Sequence, residues 1–150
     1  MKEHWKFHHT GIVVRDLEKA VEDYRSLGIL YNVSERFVAE GKSAKLLGYF
    51  IRIGTLNIEL WQPVRGDTVQ QQFLDEYGEG LNHVCFTTDQ YDEDYAELTK
   101  EQGLSVVFEV NPPGAPGHGA AYFDTRKRGH NVLLELISPW PGLKMPDWLA

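Results

Sequence analysis

Apolar and polar positions alternate through most of this chain, and helical spacing interrupts them twice. In "FHHTGIVV" (residues 7–14), His9, Gly11 and Val13 share one strand face and Thr10, Ile12 and Val14 the other. The spacing then lengthens. Leu17, Ala20, Val21, Tyr24 and Leu27 form an i, i+3, i+4, i+7 stripe, with Asp16 as its N-cap and Gly28 as its stop. Three β-type runs follow, "ILYNVSERFV", "SAKLLGYFIRIG" and "LNIELWQP", separated by turn signals at Gly41 and Gly54.

The second half repeats this order. "LNHVCFTT" reads as a strand, and Tyr91, Asp94, Tyr95, Leu98 and Thr99 form a weaker helical stripe between Asp89 and Gly103. "LSVVFEV", "GAAYFDT" and "NVLLELIS" read as strands, with the loop "NPPGAPGHG" between the first two. A short helix is expected from Thr68 to Tyr77. The chain thus reads as two βαβββ modules, about 7–64 and 80–138, in one domain spanning 1–150. The Pro- and Trp-rich tail 139–150 is expected to be irregular.

Alternation assigns faces. In "LNIELWQ", Leu56, Ile58 and Leu60 point to a helix-covered core, so Asn57, Glu59 and Trp61 point away from it. In "LNHVCFTT", His83 lies with Leu81, Cys85 and Thr87, and in "NVLLELI", Glu135 lies with Asn131, Leu133 and Ile137. A carboxylate in an apolar strand is costly unless it is paired or bound to metal. His9 and Glu59 are 50 residues apart, and His83 and Glu135 are 52 apart, in equivalent strands of the repeat. If the two sheets curl and join, pseudo-symmetry converges all four on one point. Two imidazoles and two carboxylates suit a divalent first-row ion. The expected fold is α+β: two paired βαβββ modules forming a curled sheet around a metal-binding cavity.

Composition narrows the function. The 150 residues are 42% hydrophobic and 25% charged, enough for one sizeable core. A net charge of −7 disfavours nucleic-acid binding. The one basic cluster, Arg126 to His130, reads as a turn, with Arg126 a candidate contact for an anionic substrate tail. No long apolar run predicts a membrane span, and "MKEHWKFHH" does not resemble a signal segment. With a single Cys85, these features lead us to expect a cytoplasmic protein.

Residues 7–138 resemble the vicinal oxygen chelate superfamily, which includes glyoxalase I, methylmalonyl-CoA epimerase, extradiol dioxygenases and bleomycin-resistance proteins. "HHTGIVVRDLEKAVEDY" is similar to the family's opening strand and helix. "IELWQPVRGDTVQQQFLDEYGEGLNHVCF" is similar to the middle of the epimerase branch, and "RKRGHNVLLELISP" to its closing strand. The resemblance implies metal ligands at His9, Glu59, His83 and Glu135. The metal would be Ni, Co, Zn, Mn or Fe. It also implies proton abstraction next to a carbonyl, with Glu135 as base and Glu59 as its partner in returning the proton. The implied substrate is a small molecule such as an acyl-CoA or a thiol adduct, and the implied assembly is a homodimer.

Two departures from the epimerase pattern stand out. Glutamine often takes the place of Glu59 in that branch, so the acid is more like glyoxalase I. The epimerases' catalytic acid on an inner strand falls near Ala44, where no acid stands, although Glu40 is close. One alternative is an extradiol-type Fe(II) dioxygenase using His9, His83 and Glu135, against which Glu59 argues. Another is a non-catalytic antibiotic-binding protein whose pocket is lined by Trp61, Phe50, Tyr49, Tyr122 and Phe123. In the enzyme reading, Trp61, Phe50 and Tyr122 are candidate substrate contacts.

Overall fold

A computed structural model describes residues 2–149. The chain divides into two compact units. One comprises His9–Asn82 and the segment from Pro146 onward; the other comprises His83–Met145 and the residues up to His8. Both units mix helix and sheet. Among the described residues, no helix is long and apolar enough to cross a membrane.

The first unit takes most of β1 (Lys6–Val13), followed by α1 (Leu17–Ser26), β2 (Leu30–Val33), β3 (Phe37–Glu40), β4 (Lys45–Ile53), β5 (Leu56–Arg65) and α2 (Val69–Tyr77). Its strands run in the order β2-β4-β5-β1, with β3 also paired to β4. β1 lies parallel to β5, placing Gly11 opposite Glu59 and Val13 opposite Trp61. β4 lies antiparallel to β5, placing Phe50 opposite Glu59.

The capping expected of Asp16 is present: its carboxylate accepts from Lys19 N at 2.9 Å, satisfying an otherwise orphaned helix N–H. Gly28 follows α1 in a left-handed conformation (φ 71°), as a helix stop requires. Leu17 and Val21 of α1 pack on Ile51, Ile58 and Leu60, so the helix covers the predicted face of β5. α2 matches its predicted span, with Thr68 accepting from Gln71 N at 3.1 Å.

One expected strand is two. "ILYNVSERFV" breaks at Ser34, whose backbone N–H donates to Phe50 O and whose hydroxyl accepts from Phe50 N at 2.9 Å. A side chain here replaces the backbone ladder, and the next strand starts afresh along β4. The tail also departs from wholly irregular chain. Asp147–Leu149 form a 3-10 turn, Leu149 is buried, and Trp148 O accepts from Arg52, whose guanidinium lies 5.4 Å from the Trp148 ring centre.

The second unit holds most of β6 (Gly80–Thr87), then α3 (Tyr91–Ala96), a π-helical turn (Glu97–Glu101), β7 (Val106–Val110), β8 (Gly119–Phe123) and β9 (Leu133–Ser138). The strand order is β6-β9-β8-β7, with β6 parallel to β9. Tyr91 and Leu98 cover Ala121, Phe123 and Leu136 on one face of this sheet. β9 begins two residues later than expected, because His130 and Asn131 both adopt left-handed backbone (φ 53° and 73°) in the preceding turn.

The weak stripe of the second helix has a physical explanation. Its cap is Gln90 rather than Asp89, and Gln90 N donates to the Thr88 hydroxyl. Asp94 sits on the covered face, 2% exposed, because donors converge on it. Thr88 donates at 2.6 Å, Trp5 Nε1 at 2.8 Å and Lys2 Nζ at 2.9 Å, and His4 Nε2 lies at 2.9 Å. Burial pushes the Asp94 pKa up, but the Thr88, Lys2, Trp5 and His4 contacts outweigh it and bring it down to about 2.

A carboxylate depressed by folding stabilises above its unfolded pKa and loses that contribution as pH falls through the folded value. Asp94→Asn is therefore expected to cost about 2 kcal/mol at neutral pH. It should also flatten the fall in stability between about pH 4 and pH 2. Urea unfolding across that range measures both; an unchanged pH slope would show that Asp94 does not carry the acid sensitivity.

Candidate metal centre

Each unit contains a buried histidine paired with a buried glutamate. In the first, His9 on β1 and Glu59 on β5 are 1% and 7% exposed, and His9 Nε2 lies 3.3 Å from Glu59 Oε2. In the second, His83 on β6 and Glu135 on β9 are 0% and 8% exposed, and His83 Nε2 lies 3.3 Å from Glu135 Oε2. In both cases histidine and glutamate come from neighbouring parallel strands. The parallel register carries the side chains to one face of the sheet, opposite the helix.

The repeat extends beyond the charged pair. Glu59 has Phe50 as its antiparallel cross-strand partner, and Glu135 has Tyr122. The Phe50 ring meets His9 edge-on at 5.6 Å, and the Tyr122 ring lies 4.8 Å from His83. A further aromatic stands behind each: Phe37 at 5.0 Å from Phe50, and Phe108 at 5.8 Å from Tyr122. The buried Phe50 and Tyr122 rings place low-dielectric matter beside the imidazoles and strengthen any charge interaction there.

The units differ at one matched position. Trp61, two residues beyond Glu59, turns its indole N–H onto Glu59 Oε2 at 2.6 Å. Ile137 occupies the place two residues beyond Glu135 and packs with Cys85 and Ala120. Trp61 is fixed by an edge contact with Phe37 at 5.1 Å and by Val13, Phe73 and Leu74, the last two from α2.

A family model described as "Glyoxalase/Bleomycin resistance protein/Dioxygenase superfamily" matches residues 8–122. The chain belongs to this superfamily. It is 28% identical over 131 residues to the uncharacterized protein YqjC of Bacillus subtilis, covering 87% of this chain and 90% of that one. It is also 28% identical to the mitochondrial methylmalonyl-CoA epimerase of Homo sapiens, over 87% of this chain and 72% of the relative. Among solved structures, a Streptomyces coelicolor methylmalonyl-CoA epimerase variant in complex with 2-nitronate-propionyl-CoA matches with a TM-score of 0.66. That match is 28% identical and covers 88% of this chain and 95% of that one. The α+β, paired-module architecture is that of the superfamily.

Other residues singled out in the sequence fall into two groups. Phe50 and Tyr122 are buried beside the histidines. Tyr49 and Phe123, their sequence neighbours, face the helices instead, because adjacent strand residues alternate. Tyr49 donates to Glu18 of α1 at 3.0 Å, and Phe123 is fully buried in the core beneath α3. They do not share a face with the histidines. The Arg126 guanidinium donates twice to Asp124, at 2.8 and 2.7 Å, and holds that carboxyl below the usual carboxylate range.

Ala44, near which the resemblance to the epimerases implies an acid, lies in the turn between β3 and β4 against Gly66. The nearby Glu40 forms exposed ion pairs with Lys45 and Arg65 at 3.5 and 3.3 Å. The two outer aromatics, Phe37 and Phe108, were not predicted. Their positions depend on the register of short edge strands, for which alternation in the sequence gives no anchor.

Gly48 allows Phe37 to reach its place, since a Cβ there would come within 2.3 Å of the Phe37 ring. Phe37 is already held between Phe50 and Trp61 and has little room to yield. Gly48→Ala is expected to destabilise by about 1–3 kcal/mol through overpacking. Urea unfolding checks this; a neutral change would mean that the aromatic group repacks freely.

Proposed function

We propose that His9, Glu59, His83 and Glu135 hold one divalent metal ion, and that the protein is a metal-dependent isomerase abstracting a proton next to a carbonyl. The observation that carries this reading is the duplicated, buried His–Glu pair. Donor atoms at about 2.1 Å from one ion, subtending roughly 90–110°, are about 3.0–3.4 Å apart. The 3.3 Å nitrogen–oxygen separation within each pair fits that edge. Two neutral imidazoles and two carboxylates also suit a first-row ion by donor type, among Ni, Co, Zn, Mn and Fe.

When bound, such an ion supplies Lewis-acid polarisation of the carbonyl oxygen beside the departing proton. The chain's own residues supply the rest. Glu135 serves as the base, removing the proton from the carbon next to the carbonyl. Glu59 is its partner in returning a proton, since no acid stands at Ala44 and Glu40 is engaged at the surface. The aromatic rings around the histidines exclude water that would otherwise quench the carbanion-like species.

The substrate class this reading favours is an acyl-CoA thioester with an acidic C–H. It rests on relatives named as methylmalonyl-CoA epimerases, one in complex with a propionyl-CoA nitronate. A second reading is a lyase acting on a thiol adduct, favoured by the acid at Glu59. The same residue weighs against a dioxygenase, in which a fourth protein ligand would occupy a position needed for catechol or O₂.

The test is hydrogen exchange. Incubated in D₂O with methylmalonyl-CoA, the metal-loaded protein is expected to incorporate deuterium at the carbon next to the thioester carbonyl. Glu135→Gln should slow that exchange at least about 100-fold while leaving the fold intact. Mass spectrometry reads the label, and near-native exchange in Glu135→Gln would sink the assignment of the base. Elemental analysis should find one metal ion per chain. Two would mean that each His–Glu pair works separately, and none would overturn the reading.

A further inference from the structure

We propose that Trp61 is a positioning residue for the metal: its indole N–H sets the orientation of Glu59 Oε2 toward the ion. This inference rests on the metal-site reading above. It starts from an atom with two neighbours. Glu59 Oε2 is the oxygen 3.3 Å from His9 Nε2, and it also accepts from Trp61 Nε1 at 2.6 Å. An indole nitrogen donates and never accepts, so the direction of this bond is fixed whatever else occupies the site.

A donor on a coordinating carboxylate sets the orientation of the oxygen before the ion arrives and raises affinity. Loss of such outer partners typically weakens metal binding 10–100-fold. Trp61 suits this role because it is itself immobile. The residue is 8% exposed, and its ring meets Phe37 edge-on and packs with Val13, Phe73 and Leu74. The packing of α2 is thus transmitted through one indole to one carboxylate oxygen. The internal repeat supplies the contrast. Ile137 stands where Trp61 would be in the second unit, and its side chain has no N–H to offer Glu135. The two glutamates match in strand, burial and histidine partner, and the side chain two places on is an indole in the first unit only.

The test is a double-mutant cycle read by metal affinity. Wild type, Trp61→Phe, Glu59→Gln and the double variant are titrated with Co²⁺ and followed by visible absorption. Trp61→Phe is expected to weaken Co²⁺ binding 10–100-fold. In the Glu59→Gln background the same change should cost less than about threefold, because a residue acting through Glu59 has then lost its target. Equal effects in both backgrounds, or a Trp61→Phe variant that binds like wild type, would overturn the proposal. Failure of the wild type to bind Co²⁺ would instead overturn the metal reading beneath it.

A second measurement does not require the Trp61 variant to fold. In the ¹⁵N-indole spectrum of the wild type, the Trp61 N–H should exchange slowly with solvent and shift on Glu59→Gln. An indole signal that exchanges fast and ignores Glu59 overturns the proposal.

Discussion

Two glutamates buried in apolar strands constrain everything around them. A carboxylate withdrawn from water must find compensation nearby, and in each unit an imidazole stands 3.3 Å away on the adjacent parallel strand. The parallel pairing of β1 with β5 and of β6 with β9 brings the two side chains together. α1 and α3 cover the opposite faces, and α2 packs through Phe73 and Leu74 against Val13 and Trp61 beside the first pair.

Around this constraint the two units have taken different routes. Both wall the histidine with an aromatic partner of the glutamate and a second aromatic behind it. The first wall is Phe50 and Phe37, without polar atoms in either ring; the second includes the Tyr122 hydroxyl. Trp61 stands where its counterpart is Ile137. A repeat that keeps its His–Glu pair and varies the surroundings gives two similar carboxylates different environments.

Much of this could be read from the chain. Period-2 alternation assigned Glu59 and Trp61 away from the core of Ile58 and Leu60, and the buried residues under α1 agree. Asp16 and Thr68 announced their helices through capping chemistry that acts within three residues. What escaped was decided at longer range. The break at Ser34 depends on a side chain replacing backbone bonds to Phe50. The second helix looked weak because Asp94 occupies a covered position, and its donors Lys2, His4 and Trp5 are about ninety residues away in sequence. The His–Glu pairing itself was suggested by spacing, but the Trp61 bond emerged only once side-chain direction was known.

The interruption at Ser34 has a consequence for how the molecule meets its own copies. β2 ends its sheet, and a long uninterrupted outer strand would present a row of bare backbone donors and acceptors to any other chain. Here the edge is cut into two four-residue pieces, with Ser34 turned inward to Phe50 between them. Neither piece is long enough to template an extended intermolecular ladder. The same kink that interrupts the fold's regularity therefore protects it against sheet-to-sheet aggregation.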